Sequence, residues 1–380
     1  MSDQPLTLHI ITHTVPYPPD FGGAIDVFYK IKAFYEEGVK IKLHCFTYNR
    51  TPAKELEDYC EEVHYYSRHS GLSCFFRKSP YIVVTRKNTT LLNNLLKDNN
   101  PVFFDGLHTT SFLSHPSLRN RVKIVRTHNI EHDYYRYLAR SSNNILKKFY
   151  YYTEAVKLKR YEPVLRNAAL LAAISANDAD HFRLFADCIL IPAFHKYKQV
   201  KSKEGIGDYA LYHADLSTDE NIHAIKCLIK NVFRKTDYPL IIAGKNPGPG
   251  LRKLIRSMSN LTLVENPDQK KNEELIRNAQ MIMLITFQPT GLKLKLLSSL
   301  YLGRHIIANN EMINQTGVED LCLICNTANE IQEAVSSLSE KEFTDEMIKN
   351  RIKKVSSLFD NNIHIKTLKD AIINLNPPQK

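Results

Sequence analysis

Short apolar blocks separated by longer stretches of mixed polarity run through most of this chain. Leu6–Thr14, LTLHIITHT, predicts a strand. Gly23–Glu37, with apolar positions three and four apart, predicts a helix, and Val39–Thr47 a second strand. Pro101–Asp105, Val122–Thr127 and Leu170–Ser175 continue the strand series, with helical patterns over Ile82–Leu96 and Glu131–Tyr161 between them. Brief apolar strands alternating with longer helices call for crossover connections, and hence a parallel sheet covered on both faces.

The pattern resets at Pro192. Pro192–Asp208, PAFHKYKQVKSKEGIGD, is polar, basic and glycine-bearing, which predicts a linker. A second series follows. Strands are expected at Tyr209–His213, Pro239–Ala243, Leu261–Val264, Met281–Thr286 and His305–Ala308, and helices at Thr218–Arg234, Gly250–Met258, Glu273–Asn278 and Gly291–Leu302. Further helices fill Asn329–Leu375, and NPPQK is a frayed tail. The fold class is therefore α/β, with two doubly wound Rossmann-like domains. Their expected bounds are 1–191 and 209–360, joined by the linker 192–208, with 361–380 a C-terminal helix and tail packing back on the first domain. Ligands of open α/β sheets bind beyond the carboxyl ends of the strands, so a ligand is expected in a cleft between the domains.

Composition narrows the partners. The 380 residues, 43% hydrophobic and 24% charged, describe an ordinary globular protein with room for more than one core. The formal net charge of +11 favours anionic partners. Nucleic acid is not expected, because the lysines are spread along the chain without a recognised binding module. Seven scattered cysteines and no apolar secretory run after Met1 predict a reducing, cytoplasmic setting. No apolar run is long enough to span a bilayer.

Candidate chemistry gathers at strand ends. Ile10–Val27, IITHTVPYPPDFGGAIDV, crosses a proline-rich loop and enters a helix at Gly22-Gly23, where missing Cβ atoms let backbone N–H groups approach an anion. A tight turn is the plainer alternative. Neither G-x-G-x-x-G nor G-x-x-x-x-G-K-[ST] occurs. Val125–Ala139, VRTHNIEHDYYRYLA, puts His128 and Asn129 at a strand's carboxyl end, where a histidine can orient a substrate hydroxyl or move a proton. Asp105 and His108, in DGLH after another strand, are candidates for a base or an acceptor contact. His128 and His132 are four apart, but the order H-N-I-E-H is not the zinc pattern H-E-x-x-H, and no metal is assigned. Cys322 and Cys325 have no second pair and apolar flanks, so a buried strand or strand end is expected there rather than zinc or redox chemistry.

The second half offers cations. Lys245 follows a buried strand in LIIAGKNPGPGL, where an ammonium suits a diphosphate. Thr286–Asn310, TFQPTGLKLKLLSSLYLGRHIIANN, reads as a strand end, a Thr290-Gly291 loop, a lysine-bearing helix and another strand. A helix N-terminus with lysines beside it suits a phosphate or diphosphate. Lys293 and Lys295 are two apart and cannot share a helix face; Lys293, nearer the N-terminus, is the ligand candidate. Phe149–Tyr161, FYYYTEAVKLKRY, is basic and tyrosine-rich, fit for an anionic membrane surface or for plain packing.

Several of these landmarks, in order, resemble the two-Rossmann-domain (GT-B fold) glycosyltransferases of the glycosyltransferase group 1 family. They are the Gly22-Gly23 loop, His128-Asn129, ISANDADHF at Ile174–Phe182, IPAF at Ile191–Phe194, YHADLSTDEN at Tyr212–Asn221, IIAGK, and TGLKLKLLSSLYLGRHIIAN. The resemblance covers almost the whole chain. It implies a UDP- or GDP-linked nucleotide-sugar donor on the C-terminal domain, a glycan or lipid-linked acceptor on the N-terminal domain, and no required cofactor or metal. It implies that Gly22 and Gly23 border the donor diphosphate, that His128 approaches the transferred sugar and Lys245 the phosphates. Thr290, Gly291 and Lys293 would lie beside the nucleotide-sugar. Retention assisted by the donor phosphate, in surface polysaccharide synthesis at the inner face of the membrane, is the implied activity. Many members carry two glutamates across the last loop and helix; here the second position is Ser298, and no acidic residue occurs from Thr286 to Asn310. A basic residue common after the first strand of the C-terminal domain is replaced by the neighbourhood of His213 and Ala214. A catalytically impaired partner protein, or a nucleotide-sugar epimerase of the same fold, remains open.

Overall fold

The computed structural model describes residues 5–142, 144–287 and 294–375. The chain divides into two compact units, Met1–Lys196 with Phe359–Lys380, and Tyr197–Leu358.

The first unit is built on β1 (Thr7–Thr12), β2 (Lys40–Thr47), β3 (Glu62–Ser67), β4 (Val102–Asp105), β5 (Lys123–Thr127), β6 (Leu170–Ala173) and β7 (Cys188–Leu190). They form one parallel sheet in the order β3-β2-β1-β4-β5-β6-β7. Successive side chains on a strand point to opposite faces. Ile10, Phe103 and Ile124 accordingly enter one core with Val27, Ile31 and Phe34 of the Gly22–Glu36 helix. Their neighbours Ile11, Phe104 and Val125 enter the other, against Leu91, Leu95 and Leu158. Burying each such side chain contributes about 1.5–3 kcal/mol. The Asn361–Leu375 helix adds Ile365, Leu368 and Ile372 to the first core, and Lys369 Nζ donates to the Glu37 carbonyl at 2.9 Å.

Four sequence expectations differ from the structure here. β3 and β7 were not anticipated: β3 is a half-buried edge strand, and β7 is three residues long. The expected Ile82–Leu96 helix is two, Tyr81–Val84 and Thr89–Leu95; Asn88 caps the second, its side chain accepting from Leu91 N. Likewise Glu131–Tyr161 divides into Glu131–Ser141 and Ile145–Tyr161, the latter capped by Asn144. A capping side chain satisfies the exposed amides of a new first turn. The start of the expected linker is not a free spacer. Pro192 to His195 are buried; the Pro192 carbonyl accepts from Arg126 at 3.1 Å, and Phe194 N donates to Asp26 at 2.9 Å.

The second unit carries β8 (Ala210–Asp215), β9 (Leu240–Lys245), β10 (Leu261–Glu265), β11 (Met281–Leu284), β12 (His305–Ala308) and β13 (Leu323–Ile324). The sheet is again parallel, in the order β10-β9-β8-β11-β12-β13. Ala214 pairs with Gly244, and a Cβ at Gly244 would lie 1.8 Å from the Ala214 carbonyl, so only glycine fits. Between Cys322 and Cys325 the expected strand is the short edge strand β13; its Leu323 and Ile324 are exposed, and Cys325, directly after it, is buried. All seven cysteines are free. No helix among the described residues is long and apolar enough to cross a membrane.

In each sheet the chain winds outward, then returns beside its first strand: β4 lies next to β1, and β11 next to β8. At such a switch point neighbouring crossovers leave in opposite directions, and the gap beyond the strand ends is where α/β folds take ligands.

Candidate functional site

The switch point of the first unit is filled with charge. Asp26 and Lys30 lie one turn apart on the Gly22–Glu36 helix, facing the sheet; both are buried. Lys30 Nζ meets Asp26 at 3.2 Å and forms a short ion pair with Asp105, the last residue of β4. Arg126 on β5, fully buried, donates from Nη2 to Asp26 at 3.0 Å. Two carboxylates thus face two cations. Burial works to raise the Asp26 and Asp105 pKa values, but Arg126 and Lys30 for the one, and Lys30 and His128 for the other, outweigh it and hold both below the ordinary carboxylate range. Removing one member of such a network would strand a buried charge.

His128 stands on this network. Its Nε2 lies 2.6 Å from Asp105 Oδ1 and 4.0 Å from Asp26 Oδ2. A carboxylate only accepts, so Nε2 carries a proton towards Asp105. His13, in the loop after β1, packs edge-on to His128 at 5.8 Å and against His108 at 5.2 Å. Desolvation, with His128 and Arg86 beside it, takes the His13 pKa down to about 3. His108, likewise desolvated and beside His13, is also held well below its ordinary value. Its Nδ1 is 4.0 Å from Glu131, whose carboxyl is pushed up to about 8 by burial and by Asp178 and Glu162. Arg86 braces the loop, donating to the His13 carbonyl at 2.9 Å and the Ile82 carbonyl at 2.7 Å from the break between the two short helices.

Gly22 opens the adjacent helix with no side-chain cap and no acidic residue in its first turn. A Cβ on Gly23 would come within 3.2 Å of the His13 ring, so the glycine admits the histidine. The structure therefore brings Gly22, Gly23, Asp105, His108 and His128 to one end of one sheet. Asp105 is fully buried and pairs with Lys30 and His128. His128 and His132 do not share a helix face: His128 precedes the Glu131–Ser141 helix, and His132 joins Glu162 and His181 instead. Sequence reasoning passed over His13, Asp26, Lys30, Arg86 and Arg126. The one available signal was the Asp26–Lys30 pair, four apart on an otherwise apolar helix face.

In the second unit, Lys245 ends β9 and is exposed, its carbonyl accepting from Leu216 N at 2.9 Å. Thr290, Gly291 and Lys293 lie outside the described residues. Ser298 is buried on the Leu294–Leu302 helix and donates its hydroxyl to the Lys295 carbonyl at 2.9 Å, so towards a ligand it can only accept. His213 on β8 is buried, 3.4 Å from the Ser299 hydroxyl, and desolvation takes it down to about 3. Beyond β11, the Thr286 hydroxyl makes a short bond to Glu220, and Asn309 clamps the Thr286 backbone while donating to Glu311 at 2.7 Å. Glu220, Asn309 and Glu311 were not singled out in the sequence.

No protein-family model matches the chain. A Klebsiella pneumoniae protein described as an uncharacterised 44.6 kDa protein in the cps region is 27% identical over 158 residues, 40% of either chain. The match thus spans less than half of that relative's length. Among solved structures, a mutant of S. aureus TarM, in complex with fondaparinux, alpha-GlcNAc-glycerol and UDP, superposes with a TM-score of 0.68 at 10% identity over 97% of this chain and 99% of that one. A glycosyltransferase from Rickettsia africae gives 0.63 at 14% identity, covering 99% and 100%. Anabaena HepE, in complex with UDP and glucose, gives 0.62 at 11%, covering 97% and 99%. With its two parallel sheets of seven and six strands, the chain has the GT-B fold of these structures.

Proposed function

We propose that this GT-B protein is a glycosyltransferase that moves a sugar from a UDP- or GDP-linked donor to a glycan or lipid-linked acceptor in surface polysaccharide synthesis. Transfer is retaining and needs no metal or other cofactor. The observation that carries the proposal is the four-ion network of Asp26, Lys30, Asp105 and Arg126, which fixes His128 at the switch point of the first sheet. Fixed charge of this kind makes a poor storage device and a good positioning device, since the ring is oriented before the substrate arrives.

In this proposal Asp105 and Lys30 are positioning residues, and His128 touches the transferred sugar, its Nδ1 accepting a hydroxyl proton. Gly22 and Gly23 supply the anion-binding amides of the first unit and Lys245 a donor-site cation of the second, and the charge on the leaving diphosphate grows as the glycosidic bond breaks. Thr290, Gly291 and Lys293 belong to the donor site, and Ser298 accepts from the ribose in place of a glutamate. His108, next to the proton-bearing Glu131, is a second candidate at the acceptor side. The relatives support the setting: HepE was solved with UDP and glucose, TarM with UDP and glycans, and the Klebsiella relative is described as lying in a cps region.

Contact with an anionic membrane surface is part of the proposal. The Ile145–Tyr161 helix exposes Ile145, Leu146 and Phe149, 81%, 82% and 71% accessible, beside exposed Lys147 and Lys148. Apolar side chains flanked by lysines match a headgroup boundary.

A thermal-shift screen against UDP, GDP and their sugars tests the central claim. A ligand that binds only the folded chain stabilises it by about 2.7 kcal/mol at a hundred times its Kd. We expect one nucleotide to raise the midpoint, and a radiolabelled sugar from that donor to appear in acceptor. Failure of every nucleotide to shift the midpoint rejects the donor site; turnover to an altered nucleotide-sugar without acceptor would identify an epimerase.

A further inference from the structure

A second cluster lies in the first unit, sharing no side chain with the His128 network. His132 comes from the first turn of the Glu131–Ser141 helix, Glu162 from the turn that ends the Ile145–Tyr161 helix, and His181 from the last turn of the Ala176–Phe182 helix. Glu162 sits between the two rings. Its Oε1 is 3.3 Å from His132 Nδ1, and its Oε2 is 3.0 Å from His181 Nε2. One ligand atom from each residue lies within 4.8 Å of the others. Donors held at about 2.0–2.2 Å around a tetrahedral cation stand about 3.3 Å apart, and the two Glu162 contacts, at 3.3 and 3.0 Å, are close both to that separation and to a direct hydrogen bond.

We propose that His132, Glu162 and His181 form a structural metal site for a transition-metal dication of the zinc class. Two imidazoles with one carboxylate are the donor set such ions prefer over magnesium or calcium. His132 Nδ1 is buried without a hydrogen-bond partner, although it points at the carboxylate. Among the described residues no lysine or arginine pairs with Glu162; its partners are the two imidazoles. On the far side of the ring, His132 Nε2 is 3.6 Å from Asp133 Oδ1, the place of an outer carboxylate that steadies a metal-bound histidine. Three carboxyl groups, Glu131, Glu162 and Asp178, are buried in and around the cluster. The other His–carboxylate group, His13, Asp105 and His128, differs, because the Lys30 ammonium already occupies the cation's place at Asp105. A metal here would pin three helical segments that pack behind the His108–Glu131 side of the site, and it takes no part in transfer.

The test uses full-length protein stripped with chelator and then titrated with zinc chloride against a chromogenic zinc indicator. We expect one zinc per chain after gel filtration, and a thermal midpoint that rises with zinc. Asp133→Asn should weaken binding about tenfold. His181→Gln should abolish it together with the thermal response, and because His181 is only half-buried this variant carries the test where His132→Gln does not fold. His128→Gln should bind zinc like the parent chain. The proposal is overturned if folded parent protein retains no zinc, if His181→Gln retains it undiminished, or if His128→Gln loses it.

Discussion

His128 owes its placement to one bond, from Nε2 to a carboxylate that is itself held by Lys30. Positioned groups of this type contribute about 10²–10⁴-fold to turnover. His128→Ala should therefore lower kcat by at least a hundredfold while nucleotide affinity, measured by calorimetry, stays within about twofold; equal turnover would remove the assignment. Glu131 gives a second prediction at this scale. Its folded pKa, about 8, lies above the ordinary value of 4.5, so the folded chain keeps a proton that the unfolded chain releases. That contribution to stability is complete below the ordinary value and is lost as the pH rises towards the folded one. Measured by urea unfolding, the parent chain should lose ground to Glu131→Gln between about pH 5 and 8, with a flat difference counting against the buried proton.

Between residues and the whole lie the elements, and here legibility was uneven. The buried strands were evident because a strand covered on both faces must be apolar throughout, as in VFFD of β4. The edge strand β3, EVHYYS, shows no such run, since much of it meets solvent. Helix breaks at Asn88 and Asn144 depend on side chains that cap new turns, a choice invisible to apolar spacing. The Ile145–Tyr161 helix shows the same limit for function. Its sequence allowed either packing or membrane contact, and the structure leaves Leu146 and Phe149 outside the core. Leu146→Glu with Phe149→Glu should weaken cosedimentation with anionic vesicles at least tenfold, given about 1.5–3 kcal/mol for each buried side chain, and leave the melting midpoint near the parent's. Undiminished sedimentation would show that this face does not meet lipid.

For the molecule as a whole, two sheets with the same winding place both switch points beyond parallel strand ends, which is where the fold admits ligands. The first unit also depends on the far end of the chain. Ending the chain at Asp360 would uncover the seats of Ile365, Leu368 and Ile372, at a cost of about 5–9 kcal/mol, comparable to the entire stability of many domains. Such a truncated protein should show lost or early melting of the first unit by limited proteolysis and thermal scans. Unchanged protection of β1 to β7 would show that this helix is dispensable.

The amino-acid sequence alone determined the alternation of strand and helix, the two parallel sheets and the strand-end positions of His128, Asp105 and Lys245. Apolar periodicity encodes these directly, because each block answers to its own burial. Only the tertiary structure decided which charges meet: that Lys30 neutralises Asp105, that Arg126 crosses from β5 to Asp26, and that His132 turns from His128 towards Glu162 and His181. Ion pairs and ligand sets join residues far apart in the chain, and their energies depend on distance and desolvation, neither of which has a period along the sequence.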